Sequence, residues 1–330
     1  MRRGWLVVGM AALITALVAC SSGKGSGGTL SGPPPQVLAQ AITNYANGGK
    51  GTVTLGSFGS IGDFNSAVSA SGAEAARNAK LFGTSGAVLS FDTGAGQSEL
   101  DLKLNGEDRA ADVVATRPTL YLRVDLAAIG SGLGVKTSTI KAEATALGAE
   151  VPGLAAVVAG KYGSVDMKSL TTLVHQIGGT APAASATAGS EVNQLFAVLR
   201  SAFASGQATK VGSDGVGDHY RATIQPGPLA QNLESRLSSL VPPLSALVAG
   251  TVKQVNGAAA KPVTVDVWVS GSKVKQMEID FRQYHQGAGG PANAVGIKAV
   301  FAGGTSVVVP SGATPVDLSK VGGLIAGLLG

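Results

Sequence analysis

Val263-Thr264-Val265-Asp266-Val267-Trp268-Val269, followed by Ser270-Gly271-Ser272 and by Met277-Glu278-Ile279-Asp280-Phe281, is the stretch that decides the fold. Every second residue is apolar on either side of a short turn, which is the pattern of two strands joined as a hairpin with one dry face. The same period recurs upstream. Leu100, Leu102 and Leu104 alternate with Asp101 and Lys103, and Leu120, Leu122, Val124 and Leu126 alternate with Tyr121, Arg123 and Asp125. Downstream, Val295, Ile297, Ala299 and Phe301 predict one further strand and Val307 to Val309 the last. Weaker alternation falls at Thr52 to Leu55, Ala87 to Phe91, Ala110 to Ala115, Tyr162 to Asp166 and His219 to Ile224.

About ten strands of this kind imply antiparallel pairing with one apolar face, and something must cover that face. Candidate helices are Gln36 to Tyr45, Phe64 to Leu81, Thr139 to Leu147, Leu154 to Ala159, Lys168 to Ile177, Glu191 to Ala204, Leu229 to Leu247 and Val316 to Leu329. They are rich in Ala, Leu and Val and poor in charge, as suits helices laid on a sheet. The fold class expected is therefore α+β: a curved antiparallel sheet, a half-barrel, with helices on its concave face.

Residues 1–19 have the order of an export signal: Arg2 and Arg3, an uncharged run from Trp5 to Ala16, then small residues. The run is about a dozen residues, too short for the roughly 20 that cross a bilayer. Leu17-Val18-Ala19-Cys20 resembles the lipobox of bacterial lipoproteins, so Cys20 is expected to carry lipid through its thiolate. Residues 20–35, rich in Gly and Ser and closing on Pro33-Pro34-Pro35, read as a tether. Residues 36–330 are then one domain, interrupted by a low-complexity loop at 178–189.

With 45% hydrophobic and 14% charged residues the chain has ample material for a core, and its lone cysteine forbids an internal disulfide. Losing Arg2 and Arg3 lowers the formal charge from +5 to +3. Lysines and arginines are scattered singly with little aromatic interleaving, which argues against nucleic acid. His175, His219 and His285 lack metal-ligand spacing, so no metal or other cofactor is expected. Asp218 and His219 are neighbours in a strand and point to opposite faces, so they cannot form a relay with each other. Gly130 to Thr137 lacks the phosphate-loop frame, and Asp214-Gly215-Val216-Gly217-Asp218 reads as a turn. No enzyme signature emerges.

Lipobox, tether, leading helix, the Thr119-Leu120-Tyr121-Leu122-Arg123-Val124 strand and the closing Pro262 to Trp268 hairpin strand, taken in order, resemble the LppX and LprG type of actinobacterial lipoprotein. These share the half-barrel of the LolA-like carriers. The resemblance implies a cavity between sheet and helices that holds acyl chains, so that the protein carries lipid or glycolipid non-covalently. It implies anchoring through lipidated Cys20 at the extracytoplasmic face of the cell membrane, with an envelope export partner possible but unidentified. On that reading the cavity is lined by Leu100, Leu102, Leu104, Leu120, Leu122, Val124, Val265, Val267, Ile279 and Phe281. The alternation itself leaves a second reading open, an envelope interaction or structural lipoprotein whose core is filled by its own side chains, because filled and vacant sheets share one pattern.

Overall fold

The computed structural model describes residues 30–60, 62–63, 85–104, 107–116, 118–128, 151–169, 188–225, 262–284, 293–304 and 306–319, with single residues between 138 and 149 and at 172. Ten of the segments that alternate in the sequence are strands: β1 (Lys50–Phe58), β2 (Gly86–Asp92), β3 (Gln97–Leu104), β4 (Glu107–Ala115), β5 (Thr119–Val124), β6 (Gly163–Asp166), β8 (Asp218–Ile224), β9 (Val263–Ser270), β10 (Lys273–Asp280) and β11 (Gly296–Gly303). Two more join them, β7 (Gln207–Ser213) and β12 (Thr314–Pro315). All belong to one open sheet in the order β12-β6-β5-β4-β3-β2-β1-β11-β10-β9-β8-β7. Every adjacent pair is antiparallel except β12 with β6, which run parallel. The fold is α+β.

The β9–β10 hairpin closes as its sequence requires. Gly271 and Ser272 both have positive φ, 56° and 66°, between the paired residues Ser270 and Lys273. That is the primed two-residue turn whose twist matches that of the strands it joins. Ser272, the one described non-glycine residue with positive φ, is held there by Asn44, whose Nδ2 donates to its carbonyl at 3.1 Å.

Three helices are described: α1 (Pro34–Ala46), α2 (Leu154–Val158) and α3 (Ala188–Ser205). Pro34 and Pro35, read from sequence as the end of the tether, form the first turn of α1, where a missing N–H costs nothing. Its buried stripe of Val37, Leu38, Ala41, Ile42 and Tyr45 recurs every three or four residues and packs on α3, β10, β7 and β1. Tyr45 pins this layer. Its hydroxyl lies 3.0 Å from the Thr52 carbonyl and 3.1 Å from that of Ala302, and its ring meets Phe301, Phe196 and Phe91 edge-on. Burial pushes the phenol above its usual range, so it stays a donor. Gly51 makes room for it, since a Cβ there would stand 2.4 Å from the Phe91 ring and 2.6 Å from the Tyr45 oxygen.

Four expectations need correction. Val307 to Val309 is not a strand: the segment lies outside any ladder and Val308 is 75% exposed, while the last pairing comes later, at Thr314–Pro315. Phe281 does not extend β10 but opens a 3-10 turn, Phe281–Tyr284. Leu126 follows the end of β5. Val316 and Asp317 are not helical, the Val316 N–H being bonded to the Ser164 carbonyl; helix is first recorded at Ser319, and the rest of the helix expected to Leu329 lies outside the described residues. The helices expected at Phe64 to Leu81 and Leu229 to Leu247, the signal, Cys20 and nearly all of the 178–189 loop lie outside the described residues; of the helices expected at Thr139 to Leu147 and Lys168 to Ile177 only Ala142, Thr145, Ala146, Lys168, Ser169 and Thr172 are described, all of them helical. No helix among the described residues is long and apolar enough to cross a membrane.

Candidate functional site

Register places the apolar positions of neighbouring strands side by side. One row runs Val53, Leu89, Leu100, Val113, Leu122 across β1 to β5, and the next runs Leu55, Ala87, Leu102, Ala111, Val124. Toward the other edge the rows continue through Phe301 and Ala299 of β11, Met277 and Ile279 of β10, Val265 and Val267 of β9, and Tyr220 and Ala222 of β8. All face the side on which α1 and α3 lie.

The two halves of this inner face differ. From β8 to β10 the rows are closed by the protein itself: Val265, Val267 and Ile279 are buried in one cluster with residues of α1 and α3. Phe281, just past β10, belongs to that cluster too. From β3 to β5 the inner residues are only half-buried. This holds for Leu100, Leu102, Ala111, Val113, Leu120, Leu122 and Val124 alike. Leu104 is half-buried as well, beyond a register shift that follows Leu102. Of the ten residues expected to line a cavity, six therefore sit along a partly open apolar trough, and four are in packed core. Ala111 and Val113 belong to the trough although the sequence reading did not single them out; the alternation of β4 contained the signal.

The outer face departs from a simple wet side. Ala110, Asp112 and Val114 of β4 are fully buried there. Residues 160–162 lie against this patch: Tyr162 donates its hydroxyl to Asp112, and Arg123, the register partner of Asp112, donates from Nε to the Gly160 carbonyl at 2.6 Å. Strand β4 is thus more covered outside than inside, the reverse of what its position in the sheet suggests.

Further along the outer face His219 partners Asp266, with Nε2 2.8 Å from Oδ1, and stacks on Trp268 at 4.3 Å with the rings 3° from parallel. Arg221 Nε donates to the same Asp266 oxygen at 3.0 Å, and Trp268 Nε1 to Asp214 at 2.6 Å. Asp214 caps its own turn by accepting from the N–H groups of Val216 and Gly217, and these contacts hold its carboxyl below the usual range, the Trp268 bond most. Asp218 turns instead to Ser213 and Lys210. The cluster is a cross-strand polar ladder that staples β7, β8 and β9.

No family model matches the chain, and no curated protein does. Among solved structures it is similar to LprF from Mycobacterium bovis, with 12% identity and a TM-score of 0.38, over 87% of this chain and 100% of that one. It is also similar to the Mycobacterium tuberculosis lipoprotein LppX, with 10% identity and a TM-score of 0.34, over 84% of this chain and 99% of that one.

Proposed function

We propose that this chain is an envelope lipoprotein, anchored through lipid on Cys20 at the extracytoplasmic face of the cell membrane, whose apolar trough holds acyl chains of a lipid or glycolipid. The observation that carries the reading is the contrast across one sheet: Tyr220, Ala222, Val265, Val267 and Ile279 on the inner side of β8 to β10 are buried, whereas Leu100, Leu102, Val113, Leu120, Leu122 and Val124 keep accessible apolar surface. Such surface gains about 25 cal/mol for each Å² removed from water, so a long hydrocarbon laid along the rows would be held without any covalent step. Loading and release are then physical events and need no catalytic group.

The test is mass spectrometry of an organic extract of the purified Cys20→Ala protein, paired with titration of a fluorescent fatty acid. Copurified lipid, or saturable probe binding, is expected. Absence of both would sink the carrier reading and favour the second one, an interaction or structural lipoprotein with a filled core, for which the tight packing of Val265, Val267 and Ile279 speaks.

A further inference from the structure

The segment after β11 leads from the middle of the sheet to its β6 edge, beside the strands that carry the trough. It leaves Gly303 in the middle of the sheet and is next paired at Thr314, beyond β6 at the edge, seven strand spacings away. Seven spacings of about 4.8 Å make ~34 Å. Eleven residue steps reach at most ~36–40 Å when fully extended, so the segment can make the crossing as a single strap, with bends at Ser311 and Gly312. At its near end Lys50 Nζ donates to Ser306 Oγ at 3.0 Å. Between the ends, Val307 is buried, Val308 and Val309 stand exposed, and residues 306–310 join no ladder.

The far end is a small clasp. Two residues pair with β6, Thr314 with Gly163 and Pro315 with Ser164. The Thr314 and Val316 amides bond to the carbonyls of Tyr162 and Ser164, both at 2.9 Å, and the Asp317 amide to that of Pro152 at 3.2 Å. Gly163 shares its row with Leu122, so its missing side chain opens toward the trough. Val157 and Val316 fill that gap: a Cβ on Gly163 would stand 2.3 Å from one and 2.7 Å from the other. A pairing this short belongs to the low-stability end of a structure and can open without global unfolding.

We propose that this strap is the gate of the trough: release of the β12–β6 clasp, with withdrawal of Val316 from Gly163, frees the β6 edge and admits or discharges an acyl chain. The inference rests on the lipid-holding reading above and adds its moving part. It is tested with the full chain carrying Cys20→Ser, which removes the only native thiol, together with Ser164→Cys and Pro315→Cys to staple the clasp through a disulfide. Uptake of a fluorescent fatty acid is followed in the oxidised protein and after reduction. At least tenfold slower uptake when oxidised, restored on reduction to the rate of the Cys20→Ser parent, is expected. Equal rates in the two redox states overturn the gate while leaving the trough intact, and no uptake by the parent removes both. Val316→Ala gives a thiol-free check. It thins the clasp and is expected to speed uptake severalfold at an unchanged plateau, and an unchanged rate counts against the gate.

Discussion

At the scale of single residues, charge is placed where the fold can use it. Asp92 ends β2 with its carboxylate almost wholly buried, 2.7 Å from Lys50 Nζ, and it also accepts from the Ala95 amide at 3.1 Å. The Lys50 hydrogen bond, above all, holds this carboxyl below the usual range. A group whose folded pKa is depressed adds stability that is fully present above its unfolded value, near 3.9, and is lost as pH falls through the folded value. Asp92→Asn should therefore flatten the acid limb of the stability profile below pH ~4 and leave its slope near neutrality unchanged. Urea denaturation of both proteins at a series of pH values checks this, and parallel curves would show that the pair adds nothing.

At the scale of elements, the two halves of the sheet predict opposite consequences for similar truncations. Val267→Ala deletes two methyl groups from a site with no solvent exposure, at a cost of roughly 2–3 kcal/mol once the cavity is included. Leu122→Ala acts on a half-buried side chain and leaves no sealed cavity, so it should cost under about 2 kcal/mol. Probe affinity should rank the other way, falling severalfold for Leu122→Ala and staying level for the folded fraction of Val267→Ala. Chemical denaturation and fatty-acid titration on the same two samples test the ranking, and a greater loss of binding in Val267→Ala would move the site to the other half. The same contrast shows what alternation conveys. A period of two fixes which residues share a face, and Leu100, Leu122 and Val267 all face inward as the pattern requires. It carries nothing about what lies above them, because burial is decided by chain elements far away in sequence. For the same reason Asp112, an ordinary outward aspartate by its spacing, is buried under Tyr162. Strand β7 escaped because an edge strand that turns only Ala208 toward the core has no apolar alternation to read, and Val307 to Val309 misled because β-propensity without a partner makes no strand.

At the scale of the whole molecule, the folded body is in place by Leu30, which packs against the core only ten residues after Cys20. On the tether reading of the sequence, a glycine- and serine-rich spacer of that length would have a root-mean-square reach of about 16–19 Å, and a lipid on Cys20 would keep the body within one domain diameter of the bilayer. Each buried methylene of an acyl chain contributes about 0.8 kcal/mol, one chain holds only marginally, and two anchor stably. With an anchor of this kind, attachment depends on a single atom, the Cys20 sulfur, and hardly at all on the sheet. Cys20→Ala should therefore move the protein from the detergent-rich to the aqueous phase in a Triton X-114 partition while leaving its urea midpoint within error of the lipidated form. Retention in the detergent phase would place the membrane contact elsewhere in the chain. A lowered midpoint would instead mean that the tether packs on the domain, so that holding the bilayer and holding cargo are not independent.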